Sequence, residues 1–129
     1  MVSSMPVETG LSGTVDLVVS DDDTAIALHS GSVAVLGTPR IVALCEEATC
    51  LAVSGALPEG QTTVGMRVEL SHLAPTQVGS KVRAEATLEK TEGRRLTFTV
   101  SVSDDHGLVA AGKITRVVVD EQSFLEKAR

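Results

Sequence analysis

The chain has 129 residues, 43% of them apolar, enough for one domain with a packed core. Its 17 acidic and 11 basic side chains leave a formal net charge of -6, the wrong sign for a protein that grips nucleic-acid phosphates. The only aromatics are Phe98 and Phe124, which excludes a base-stacking platform or an aromatic sugar-binding face.

Residues 1–12 read as a lead-in to a single domain over 13–129. Residues 1–6 lack the charged start and apolar stretch expected of a signal peptide. Residues 14–19 are rich in β-branched side chains and predict a strand. The acidic run at 20–23 is a turn or cap signal, and residues 24–28 suit a short strand or a helical turn. Residues 29–37, with two glycines and two serines, read as a loop. Thr38 and Pro39 then open a helix, with Thr38 as N-cap and Pro39 at the first helical position. Ile41, Leu44, Cys45, Ala48, Leu51 and Ala52 recur at helical spacing, and Gly55 marks the end. Apolar residues cover more than half of this helix's girth, which predicts a helix embedded in a sheet.

The rest alternates with period two. Val64, Met66, Val68 and Leu70 are expected to face one way, with Gly65, Arg67, Glu69 and Ser71 facing the other. Val82, Ala84, Ala86 and Leu88 follow, then a turn at Glu92-Gly93, then Leu96, Phe98, Val100 and Val102. A last strand covers 108–119, and Asp120 caps a short terminal helix holding Phe124 and Leu125. The order predicts an α+β fold, an antiparallel sheet curled around one helix, of the kind that pairs edge to edge.

Cys45 and Cys50 share the helix but point apart, so no disulfide is expected, and reduced thiols fit a cytoplasmic protein. No run of about 18 apolar residues exists to span a membrane. No zinc-type cluster, phosphate-binding glycine loop or dinucleotide fingerprint is present, so no metal or cofactor is expected.

Four residues stand out for chemistry. Glu46 falls at the margin of the helix's apolar arc beside Val42, Val53 and Cys50, whereas Glu47 lies with Arg40 and Ser54 on the polar face. Such a border carboxylate is either a reactive group or one that reaches out to water. Thr38 sits at the helix start, where a hydroxyl meets a field that favours negative charge. His72 ends its strand, where an imidazole reaches a neighbouring cleft as proton carrier or serves as a plain polar terminus. His29 and His106 fall in loops and read as solvated. Gly65 interrupts a strand, which marks a bulge or a close approach to the backbone.

Thr38, Glu46, Gly65 and His72, at these intervals, resemble the active-site set of the fluoroacetyl-CoA thioesterase family. Thr63-Val64-Gly65, Ser71-His72-Leu73-Ala74-Pro75-Thr76 and Glu92-Gly93-Arg94-Arg95-Leu96 extend the likeness over residues 13–127. The resemblance implies a hotdog fold, a homodimer or a tetramer built from it, and hydrolysis of a CoA or acyl-carrier thioester. It further implies that Glu46 attacks the carbonyl or activates water and that His72 carries the proton. Thr38 would orient the carboxylate or substrate, the Gly65 N–H would polarise the carbonyl, and Arg116 would supply positive charge. Arg116 also suits a cross-strand salt bridge. The family's fluoroacetate-specific members carry bulky aromatics just before the helix, and residues 29–36 contain none. A short- or medium-chain acyl-CoA is therefore the expected substrate. Two rival readings on the same fold are a module that binds such a ligand without turnover and an enoyl-thioester hydratase.

Overall fold

The computed structural model describes residues 7–128. Strand β1 (Ser12–Val18) leads through a 3-10 turn at Asp21–Asp23 to helix α1 (Thr38–Val53). Strands β2 (Gln61–His72), β3 (Lys81–Glu92), β4 (Arg95–Asp104) and β5 (Gly107–Asp120) follow, and helix α2 (Glu121–Lys127) closes the order. The five strands form one antiparallel sheet in the order β1-β3-β4-β5-β2, so β1 and β2 are its edges. Helix α1 lies against all five strands, chiefly β1 and β3. No described helix is long and apolar enough to cross a membrane.

The core is what the period-two pattern requires. Val82, Ala84, Ala86 and Leu88 of β3 and Leu96, Phe98, Val100 and Val102 of β4 are all buried against the helix. From α1 they meet Ile41, Leu44, Cys45 and Ala48, while Leu51, expected in the apolar stripe, is half exposed. The small residues of β1 and β3 let the helix sit close. A Cβ on Gly13 would lie 2.6 Å from the Ala48 carbonyl oxygen and 2.7 Å from the Ala52 nitrogen. Only glycine permits that backbone-to-backbone contact.

Part of the expected lead-in belongs to this core. Residues 1–6 lie outside the described residues, but Val7 and Leu11 pack on the core. The Gly10 N–H donates to the Leu88 carbonyl and the Leu88 N–H to the Leu11 carbonyl, both at 2.8 Å. Sheet pairing thus begins before residue 13. The terminal cap is as expected: the Ser123 N–H donates to the Asp120 carboxylate at 2.9 Å. Cys45 is buried and Cys50 exposed, both free.

Two local expectations are corrected. The N-cap of α1 is Gly37, and Thr38 is the first helical residue, with no side-chain cap bond. Its hydroxyl is engaged elsewhere, by His72. In β2 a single phase of alternation fails, because the register against β5 shifts between Gly65 and Arg67. Gly65 pairs with Arg116 and Val68 with Ile114, leaving Met66 as the extra residue of a bulge. Before the bulge the odd residues Thr63 and Gly65 face α1. After it the even residues Val68, Leu70 and His72 do. One inserted residue turns the following side chains over.

Candidate active site

Two groups of polar side chains lie where α1 crosses the inner face of β2 and β5. At the helix start, Thr38 Oγ1 and His72 Nδ1 are 2.8 Å apart. His72 ends β2 opposite Ala110, and beyond it the Leu73 N–H holds the Val109 carbonyl at 2.7 Å. The other ring nitrogen, Nε2, is buried without a hydrogen-bond partner among the described residues.

The pre-helix segment that sets Thr38 is itself tied down. The Gly37 N–H donates to the Asp23 carbonyl at 2.9 Å, and Arg40 Nε donates to the Asp23 carboxylate at 2.9 Å. The Leu36 N–H donates to the Thr76 carbonyl at 2.9 Å. Burial pushes the Asp23 carboxyl up, but bonds from the Ser20 N–H and hydroxyl and from Arg40 outweigh it and hold it below its ordinary value.

Two turns further along α1, about 12 Å by helical rise, Glu46 forms the second group. Its Oε2 accepts from Arg116 Nη1 at 3.1 Å. Arg116 is buried, and the Glu46 side chain is about one-third exposed. The carboxylate lies against the backbone of Gly65: a Cβ there would stand 2.6 Å from Oε2. Gly65 therefore marks both a bulge and a close approach, and what approaches is a catalytic candidate. Arg116 makes an ion pair between sheet and helix rather than between strands. Thr63, which in the sequence stands out only as part of a motif, holds that arginine through two further bonds, Nε to its hydroxyl at 2.8 Å and Nη2 to its carbonyl at 2.9 Å. A local signal for it exists: a polar β-branched residue two positions before Gly65 shares its face.

Within one protomer the groups remain separate. Glu46 meets Gly65 and Arg116, Thr38 meets His72, and no hydrogen bond joins Glu46 to His72 among the described residues. His29 and His106 are exposed and join neither group. A cavity of about 380 Å³ lies beyond the end of α1, between Leu57, Gln61, Leu96 and Val118, and includes neither Glu46 nor His72. The candidate site is the α1–β2 crossing, along which the carboxylate group and the imidazole group both lie.

Known structures place this architecture. A thioesterase superfamily member from Thermus thermophilus has a TM-score of 0.86 and 28% identity, over 94% of this chain and 90% of its own. The fold is thus that of the hotdog thioesterases, enzymes that hydrolyse thioesters. A crystallised variant of the fluoroacetyl-CoA-specific thioesterase, in complex with fluoroacetate and CoA, reaches a TM-score of 0.85 at 30% identity, over 92% of this chain and 99% of that one. The fluoroacetyl-CoA thioesterase of Streptantibioticus cattleyicolor is 33% identical over 95 residues, 74% of this chain and 68% of its own length. The family model described as fluoroacetyl-CoA-specific thioesterase matches residues 19–122. The chain belongs to that family and is an acyl-CoA thioesterase.

Proposed function

We propose that this enzyme hydrolyses short- and medium-chain acyl-CoA thioesters without selecting a fluorinated acyl group. Glu46 supplies the carboxylate, and the observation that supports this is its delivery by Arg116 to the backbone of Gly65 at the sheet surface. Glu46 either attacks the thioester carbonyl or takes a proton from the attacking water. In either route a C–O bond forms, the C–S bond breaks and the thiolate leaves; where Glu46 is the attacking group, water then cleaves the Glu46–acyl anhydride, releasing the acid and restoring the carboxylate. The Gly65 N–H, beside the Glu46 carboxylate, polarises the carbonyl oxygen. With the Thr38 hydroxyl donating to Nδ1, the His72 ring carries its proton on Nε2, and that proton passes to the departing sulfur. A thiolate leaves readily, so this set of groups asks for no metal or cofactor.

The working unit we infer is a homodimer. Strand β2 is an edge, and its residues 65–69 are exposed, Met66 and Val68 among them at 48% and 39%. An edge that bare is a template for a second copy. A two-fold axis across this edge runs the two β2 strands antiparallel, so the Gly65 end of one strand lies nearest the His72 end of the other. Glu46 of one chain then shares a cleft with the Thr38–His72 pair of the other, which closes the gap left within each protomer. The absence of Phe, Tyr and Trp from residues 29–36 supports room for a longer acyl group, and the two free thiols support a reducing, cytoplasmic location.

Thiol release measured across acetyl-, fluoroacetyl-, hexanoyl- and octanoyl-CoA tests the proposal. It expects turnover on the non-fluorinated substrates. Saturable binding with no thiol released would reject it, and so would a kcat/KM for fluoroacetyl-CoA above that for acetyl-CoA by about 100-fold or more.

A further inference from the structure

Arg116 is 7% exposed, and among the described residues it makes three polar contacts. One goes to Glu46. The other two fall on a single residue, Thr63, itself 7% exposed. Nε meets the Thr63 hydroxyl and Nη2 its carbonyl oxygen. A guanidinium is a rigid planar fork, so two bonds from one of its edges to one residue fix its plane as well as its place. Nη1 is then left with one direction, towards Glu46 Oε2.

Strand β2 controls the carboxylate from both sides. Thr63 anchors the cation that holds it, and Gly65, two residues on and facing the same way, makes the space it occupies. The fold has little need of a hydroxyl at position 63. Thr63 pairs with Val118 in the ladder, and Val64 pairs with Val117, so valine suits this stretch of the sheet.

We propose that Thr63 is a positioning residue for thioester hydrolysis: its hydroxyl sets the plane of Arg116, and through Arg116 it presents Glu46 to the thioester in one orientation. The inference rests on the reading of Glu46 as the carboxylate that acts on the thioester, and it adds a residue that touches neither substrate nor carboxylate. Without the hydroxyl the guanidinium keeps its bond to the Thr63 carbonyl but is free to pivot about it. The carboxylate then samples unproductive orientations, which lowers kcat and leaves the grip on CoA unchanged.

Thr63→Val keeps the branched shape and the backbone carbonyl and removes only the hydroxyl. In a thiol-release assay on acetyl-CoA, its kcat should fall about tenfold with KM within about twofold of the parent. Thr63→Ser restores the hydroxyl and should recover kcat to within about threefold. Glu46→Gln, run alongside, separates the two ways the idea can fail. If Glu46→Gln is inactive while Thr63→Val matches the parent, Thr63 has no positioning role. A Thr63→Ser variant as slow as Thr63→Val would also rule that role out. If Glu46→Gln matches the parent, the reading of Glu46 is wrong and the inference falls with it. Should Thr63→Val not fold, the comparison of Thr63→Ser with Thr63→Ala decides: equal kcat values overturn the proposal, and a slower alanine variant supports it.

Discussion

Gly65 and His72 stand seven residues apart on one strand, yet both face helix α1. In a regular strand an odd separation puts two residues on opposite faces. The bulge at Met66 removes that conflict by shifting the register against β5 by one. The strand can therefore present an open backbone to Glu46 and, further on, an imidazole to Thr38, along one side of the helix.

The same relationship makes Gly65 a sensitive position. A methyl group there would stand 2.6 Å from Glu46 Oε2, the far end of a flexible side chain. The carboxylate can swing aside, so the fold should survive. Gly65→Ala is expected to lower kcat by about tenfold or more while Tm changes by no more than about 2 °C. Steady-state kinetics and a thermal melt on the same preparation check both parts.

The fold was legible because its signals were local. Val82 to Leu88 and Leu96 to Val102 alternate without a break, and all eight expected inward residues are buried. The residues proposed for the site stand out one by one through resemblance, but the contacts among them do not. Thr38 reads as an N-cap because threonine before proline is a good cap, yet a contact 34 residues away in sequence claims its hydroxyl. The phase of β2 could not be read through Gly65, since a bulge shows in the partner strand's register and leaves no period of its own. Thr63 shows in the sequence only as a motif residue and a polar neighbour on the face of Gly65; its bond to Arg116 does not show, because that partner lies 53 residues downstream.

Acid should weaken the anchor at the start of the helix. Hydrogen bonds hold the Asp23 carboxyl below its ordinary value in the folded chain. A depressed carboxyl contributes stability that is complete above the unfolded value, near pH 4 for aspartate, and is lost as pH falls through the folded one. Denaturant melts from pH 6 down to pH 2 should show stability falling below about pH 4. Asp23→Asn should be less stable at pH 6 and show a shallower acid decline. An unchanged acid decline would show that Asp23 contributes nothing to it.

The two thiols should differ sharply. Burial pushes the Cys45 thiol up to about 11, with the charge of neighbouring Glu46 adding to it. In a Cys50→Ser variant, a disulfide reagent at pH 8 should find no reactive thiol until denaturant is added. Rapid reaction in the folded state would contradict the packing of α1 on the sheet.

The mechanism requires the Glu46 carboxylate and the His72 imidazole to meet at one thioester across a paired β2 edge. The decisive measurement is thiol release from acetyl-CoA by Glu46→Gln, by His72→Ala and by an equal, co-refolded mixture of the two. Each variant alone should lose about 100-fold or more in kcat. Random pairing in the mixture makes half of the dimers mixed, each with one intact site, so activity should return to about a quarter of the parent's. A single variant that keeps its turnover, or a mixture as inactive as its components, would contradict this mechanism.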